Sequence, residues 1–172
     1  MHSHHVIDSP LGKLRLSLAC DALTALCFLE GAPLPDAAPA DFATPLLRRA
    51  RAQLQAYFSG AAMAFDLPLR PQGTPFQQTV WRALQTVPAG QTISYAQLAQ
   101  RLGLPASHAR AVGAAVGRNP LLIVVPCHRI VGHDGALTGY AAGLPRKQAL
   151  LDLERAATVS AKSATLRRLL AV

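Results

Sequence analysis

From Pro68 to Thr74 the chain reads Pro-Leu-Arg-Pro-Gln-Gly-Thr. Two prolines and a glycine in so short a stretch stop a helix or a strand from running through, so it reads as a linker, and 172 residues fit one domain or two small lobes sharing a surface. The two parts differ in charge. Residues 1–71 carry six basic and six acidic side chains, residues 72–172 carry eleven and three, and the second part therefore holds the whole formal excess of +8. A basic lobe beside a neutral one is either the footprint of a polyanion contact or a surface tuned for solubility. Apolar residues make up 51% of the chain, enough for a core and too many for a wholly disordered protein. No apolar run reaches the roughly 18–20 residues of a membrane span, and the polar, His-rich start lacks the apolar stretch of a secretory signal. Three cysteines make a poor disulfide framework, so the expected compartment is the reducing cytoplasm.

In the first part, Val6–Ser9 and Lys13–Ala19 flank Pro10-Leu11-Gly12 and read as a hairpin. The second strand alternates strictly, which predicts one buried and one wet face. Ala22–Leu29 reads as a third strand and Gly31–Asp41 as a loop. Thr44-Pro45 opens a helix that runs to Phe58 and stops before Gly60, with Phe65–Leu67 as a candidate extra strand. Cys20 and Cys27 read as core residues of the strands, and the histidines at 2, 4 and 5 as an exposed polar terminus. In the second part Thr74-Pro75 starts a helix with Phe76, Val80, Trp81 and Leu84 along one stripe. Ser94 caps a short helix, Tyr95–Arg101, which Gly103 and Pro105 break. Ser107 reads as the cap of the next, Ala109–Arg118. Leu121–Val125 is strand-like, Gly132–Gly143 is looped, and Pro145–Arg155 is the last helix before a basic and apolar tail. The organisation expected is 1–71, 72–156 and a tail at 157–172.

Two features carry chemistry. The first is a helix-turn-helix pattern whose second helix presents Ala111, Gly113, Ala114, Ala115 and Gly117 with Arg110 at its start. Such a slim helix suits close approach to a narrow DNA groove, with the arginine inserted into the base stack, and it equally suits close helix packing. The second is Pro126-Cys127-His128-Arg129. A thiolate is the nucleophile, and neighbouring cations lower a thiol pKa. Successive strand residues point to opposite faces, so His128 acts on Cys127 only where the backbone turns or through a bridging water. Glu154 on the last helix is placed to orient the imidazole, the logic of a Cys-His-acid set. The competing reading is an inert core cysteine.

Ile123-Val124-Val125-Pro126-Cys127-His128-Arg129-Ile130 closely resembles the active-site segment of the O6-alkylguanine-DNA alkyltransferases, the methylated-DNA–protein-cysteine methyltransferases. Pro-Cys-His-Arg alone arises by chance in about one chain in a thousand of this length. The resemblance continues through Asp8–Gly12, Phe76–Trp81, Ser94-Tyr95, Arg110–Gly113, Asn119-Pro120, Thr138–Tyr140 and Pro145–Glu154, and is nearest to the bacterial single-function type. It implies an α/β (α+β) fold in two lobes: an N-terminal antiparallel sheet plus helix, and a mostly helical C-terminal lobe with a winged helix-turn-helix.

The resemblance also implies roles. Cys127 accepts the alkyl group, His128 deprotonates it through a water, and Glu154 polarises His128. Asn119 holds the turn, and Tyr95 donates to the guanine ring as charge develops. Tyr140 walls the pocket, the Ala141 N–H contacts O6, and the Cys127 and Ile130 carbonyls accept from the base's amino group. On the helix, Arg110 fills the gap left by a flipped nucleotide, with Ala111, Gly113, Ala114 and Arg118 along the groove. The implied activity is one irreversible transfer per protein, from O6 of guanine and also O4 of thymine in double-stranded DNA. No cofactor and no metal are expected. The expected state is a monomer, with cooperative assembly on DNA left open. Three departures stand out: an extra residue through Pro105-Ala106-Ser107-His108, the glycine-poor Tyr140-Ala141-Ala142-Gly143, and a Cys20 that matches a zinc pattern only approximately. Two rival readings remain: a DNA-binding sensor without chemistry, and a Cys-His-Glu hydrolase, for which no oxyanion hole is marked.

Overall fold

The computed structural model describes residues 2–30 and 44–170, so the expected loop at Gly31–Asp41 lies outside the described residues. Three antiparallel strands, β1 (His2–Ile7), β2 (Leu14–Ala19) and β3 (Ala22–Phe28), form a meander in the order β1-β2-β3. Leu14, Leu16 and Leu18 of the central strand are buried, as the alternation predicts. The opposite face is less wet than expected, because Ser17 is covered by His4, whose Nδ1 lies 2.9 Å from Ser17 Oγ. The His-rich start is therefore no loose polar terminus: it is β1, paired in register with β2, and His5 is buried. Cys20 is not a core residue either. Ala19 pairs with Ala22, so Cys20 and Asp21 form a two-residue turn at φ 47° and 54°, with Cys20 exposed. Cys27 is half-buried opposite Arg15.

Helix α1 (Pro45–Phe58) starts as expected, with the Thr44 side chain accepting from Leu47 N. It lays Leu47, Ala50, Leu54 and Tyr57 into the core. The predicted extra strand at Phe65–Leu67 does not form. Pairing comes later, within the connection itself: Leu23 N donates to Pro68 O and Arg70 N to Leu23 O, so the connection is pinned to the free edge of β3. The same edge holds the second lobe, through Leu26 N to Pro120 O and Leu122 N to Leu26 O. Apolar residues of both lobes make one continuous core.

The second lobe begins with α2 (Pro75–Leu84), closed by a capping box between Thr74 and Gln77. Its Trp81 donates Nε1–H to the Ala115 carbonyl, 2.9 Å away. Strand β4 (Ile93–Ser94) leads into α3 (Tyr95–Arg101), whose capping box joins Ser94 and Gln97. Ser107 is not a cap. It sits in a 3-10 turn, Ala106–His108, which absorbs the extra residue, and α4 (Ala109–Gly117) follows without a side-chain cap.

The run at Leu121–Val125 is not a strand. It is buried on all sides and folded into successive turns, with Val125 N bonding Leu121 O and Ile123 at φ 72°. A continuous apolar run signals burial without choosing the backbone. After the 3-10 turn Cys127–Arg129 comes β5 (Ile130–Val131), parallel to β4. The last helix, α5 (Leu144–Leu170), continues well past the expected end at Arg155, through residues of the tail. No glycine or proline follows Pro145, and alanine, leucine, lysine and arginine dominate, so nothing stops it.

Candidate active site

Pro126 and the 3-10 turn supply the backbone break that the adjacency of Cys127 and His128 requires. Both side chains, and Arg129, are buried. Asn119, at the end of α4, ties this turn together. Its Oδ1 accepts from Leu121 N at 2.9 Å, and its Nδ2 donates to Val125 O at 2.8 Å and to Cys127 Sγ at 3.1 Å. A donor on sulfur favours the thiolate, but burial is the larger effect and pushes the thiol up to about 11. The sequence-based expectation of a thiol lowered by His128 and Arg129 is thus not met in the unliganded protein. Those two side chains face Glu154. The cation that pulls the thiol down, though by less than burial pushes it up, is Lys147 of α5.

Glu154 is fully buried and accepts from five donors. His128 Nε2 lies 2.8 Å from Oε1, Arg129 Nη2 2.8 Å from Oε1, and Arg129 Nε 2.9 Å from Oε2. Gly90 N donates to Oε2 at 3.1 Å and Tyr57 OH to Oε1 at 2.8 Å. Burial alone would raise this carboxyl, but the hydrogen bonds from His128 and Arg129 hold it well below the usual range. An ionised carboxylate only accepts, so His128 carries its proton on Nε2 and keeps a lone pair on Nδ1. That Nδ1 has no hydrogen-bond partner in the protein among the described residues. Burial lowers the His128 pKa and keeps the ring neutral, and the ring stands nearly perpendicular to that of Tyr140, with centroids 6.4 Å apart. The result is a neutral base beside a neutral thiol, backed by a fixed negative charge.

Cys127 lines a cleft of about 130 Å³ with Tyr95, Gly113, Val116, Gly117, Gly139, Tyr140 and Ala141. Tyr95, Tyr140 and Ala141 thus share a cleft with Cys127, as the resemblance implies, and Gly113, expected along the groove, lines the same cleft. Ile130 is not among the lining residues, and its carbonyl already accepts from Lys147 Nζ. The same ammonium bonds the carbonyls of Thr138 and Gly139, tying the looped segment to α5. Tyr95 OH reaches the Thr138 carbonyl at 3.5 Å. On α4, Val112, Ala115 and Val116 point inward, while Arg110, Ala111, Ala114, Gly117 and Arg118 are exposed on the outer face. Gly113 is half-buried, and a Cβ there would sit 3.4 Å from the Tyr95 ring. The small residues therefore serve both readings: they seat α4 against Tyr95, and they leave a low outer surface with an arginine at each end.

Sequence reasoning missed Arg129 as a partner of Glu154, Lys147 as an organiser of the loop, and Tyr57. Arg129 and Lys147 had a signal, being cations inside matching motifs. Tyr57 had none, because it lies in the other lobe. Among the described residues no three His, Cys, Asp or Glu side chains converge on a metal-sized site. No described helix is long and apolar enough to cross a membrane.

Comparison with known proteins adds independent findings. Residues 75–156 match the sequence model of the 6-O-methylguanine DNA methyltransferase DNA-binding domain, and residues 3–71 that of its ribonuclease-like domain. A methylated-DNA–protein-cysteine methyltransferase of Methanosarcina barkeri is 46% identical over 153 residues, covering 88% of this chain and 96% of its own. The crystal structure of Mycobacterium tuberculosis O6-methylguanine methyltransferase superposes with a TM-score of 0.81 at 45% identity, over 91% of this chain and 94% of that one. The structure of Mycobacterium tuberculosis OGT in complex with DNA also gives 0.81, at 44% identity, over 90% of this chain and 94% of that one.

Proposed function

The chain belongs to the 6-O-methylguanine DNA methyltransferase family, and from that premise we propose that Cys127 is its alkyl acceptor in the direct reversal of O6-alkylguanine in DNA. The observation that carries the assignment is the buried set Cys127, Asn119, His128 and Glu154, with Cys127 lining a cleft that residues of α4 also line. The DNA-bound relative and the basic second lobe support DNA as the partner.

The chemistry follows from the geometry. The alkyl carbon on O6 is out of reach inside a duplex, so the nucleotide must leave the stack, at roughly a few kcal/mol. Arg110 on the outer face of α4 fills the space left behind, and Arg118 contributes to phosphate attraction. The Cys127 proton passes through a water to His128 Nδ1, and the Glu154 charge stabilises the imidazolium that forms. Sγ then displaces guanine from the alkyl carbon. The S–C bond forms, the C–O6 bond breaks, and its electron pair stays on the purine. Tyr95 and the Ala141 N–H donate to that anion as it leaves. The thioether product is inert to water, so each protein acts once. Three free cysteines, one of them exposed, suit a reducing compartment, and we assign the protein to the cytoplasm.

The deciding experiment is intact mass after incubation with an oligonucleotide bearing O6-methylguanine. The expected result is one added methylene, mapped to the peptide holding Cys127 and absent from Cys127→Ala, which still binds DNA. An unchanged mass, or a methyl group on another residue, would falsify the assignment. A multiple-turnover esterase signal would restore the hydrolase reading.

A further inference from the structure

The carboxylate that backs His128 is held from two lobes. Four of its donors come from the second lobe: His128, Arg129 twice, and Gly90 N. The fifth is Tyr57, 97 residues away on α1. Tyr57 is fully buried, with its ring packed edge-on to Phe58 at 5.5 Å and tilted on Phe65 at 5.4 Å. A phenylalanine would fill the same apolar site, so packing alone gives no reason for the hydroxyl. Its hydrogen is aimed at Oε1, the same oxygen that His128 Nε2 contacts.

We propose that Tyr57 is a positioning residue for alkyl transfer: its hydroxyl shares Glu154 Oε1 with His128 and so limits how strongly the carboxylate draws on the imidazole proton. The proposal rests on the functional reading above and extends the reacting network into the N-terminal lobe. A charge-assisted hydrogen bond spreads the carboxylate's charge, and less of it is then available to His128. With the hydroxyl present the imidazole stays neutral, with its Nδ1 lone pair free to take the thiol proton. Without it, Oε1 turns fully to His128 and Arg129, the imidazolium becomes easier to form, and the base is lost to protonation at higher pH.

The remaining groups around the pair do not replace this control. Arg129 faces Glu154 from the turn that also carries His128, and Gly90 N from the loop after α2. Lys147 of α5, an ammonium held by three carbonyls, disfavours positive charge on His128, while burial keeps the Cys127 thiol and the Tyr140 hydroxyl in the same site protonated. Burial and the Glu154 charge keep the Tyr57 hydroxyl protonated far above neutral pH, so it acts only as a donor.

The test uses the full chain and free O6-benzylguanine, which removes DNA binding from the readout. The rate of benzyl transfer is measured by pH jump from pH 4.5 to 9, alongside the His128 titration followed by nitrogen NMR. In Tyr57→Phe the plateau rate should stay within about twofold, while the acid limb and the His128 midpoint both move up by about one unit. Replacing Tyr57 by 3-fluorotyrosine strengthens the donor without changing the packing, and should move both the other way. Phe65→Leu, which loosens the ring but keeps the hydroxyl, should lower stability and leave both unmoved. If Tyr57→Phe does not fold, the fluorinated residue decides the matter. Curves that superimpose on wild type in the variant that folds overturn the proposal. Failure of the wild-type protein to take a benzyl group would instead overturn the functional reading itself.

Discussion

Arg129→Met tests the buried network at its strongest joint. The guanidinium donates Nε and Nη2 to Glu154 and Nη1 to the Val87 carbonyl, and it is almost wholly shielded from water. Methionine fills the aliphatic space but leaves the carboxylate without its cation. Removing one partner of a buried ion pair costs about 3–5 kcal/mol, and that loss is expected at pH 8 in urea denaturation. At lower pH the deficit should shrink. With Arg129 gone, one of the cations that lower the His128 pKa is removed, so the folded-state pKa of His128 rises from its wild-type position. In the wild type that pKa is lowered by burial, so acid works against the folded protein as pH falls through the unfolded value, about 6.5. Each unit by which the variant's value moves back up returns up to about 1.4 kcal/mol in acid, so the gap at pH 5.5 should be smaller than at pH 8. Paired urea titrations at the two pH values decide it. A loss below about 1 kcal/mol, or one that does not vary with pH, would refute both the coupling of His128 to Glu154 and the tautomer derived from it.

Asn119→Ala removes the donor on Cys127 Sγ together with the ties to Leu121 and Val125. It should cost about 1–3 kcal/mol and move the pH dependence of iodoacetamide labelling at Cys127 upward; unchanged labelling would show that the amide does not act on the sulfur. Arg110→Ala should slow transfer from duplex DNA far more than from free O6-benzylguanine, and duplex affinity should fall steeply with added salt. Equal losses on the two substrates would remove Arg110 from the flipping step, and a flat salt response would remove the phosphate contacts.

Much of the site could be read from the sequence because its chemistry is local. Cys127 and His128 are neighbours, Asn119 lies only eight residues before the cysteine, and Thr44, Thr74 and Ser94 announce their helices by side chains that bond three residues on. What could not be read depends on contacts across the two lobes. Tyr57 meets Glu154 only because the end of α1 reaches α5 in the folded chain. Leu121–Val125 reads as a strand by composition, and becomes a chain of turns because Leu26 pairs with its start while Asn119 binds its end. The strand assigned to Phe65–Leu67 fails for the converse reason, since the edge of β3 accepts the chain at Pro68 and Arg70. The length of α5, like the roles of Arg129 and Lys147, was missed despite a local signal, here the absence of any glycine or proline after Pro145.

A thiol pushed up to about 11 is an odd resting state for a nucleophile until the charges of the whole network are followed. At pH 7.5 only about one molecule in a few thousand would hold a thiolate, so forming it by loss of a proton to solvent costs about 5 kcal/mol. Moving that proton to His128 is a different process. Before the move the site holds a neutral thiol, a neutral imidazole and the Glu154–Arg129 ion pair; afterwards it holds a thiolate, an imidazolium and the same ion pair. The net charge of the buried set does not change, so no proton is surrendered to water, and the new cation lies between two anions. Burial thus opposes the isolated thiolate while the fixed carboxylate favours the ion pair. The consequence suits a protein that reacts once. With the cleft empty the sulfur stays protonated and nearly sealed from solvent, which guards it against oxidants and stray electrophiles. The charge that drives its reaction is stored on Glu154, where nothing in solution can reach it.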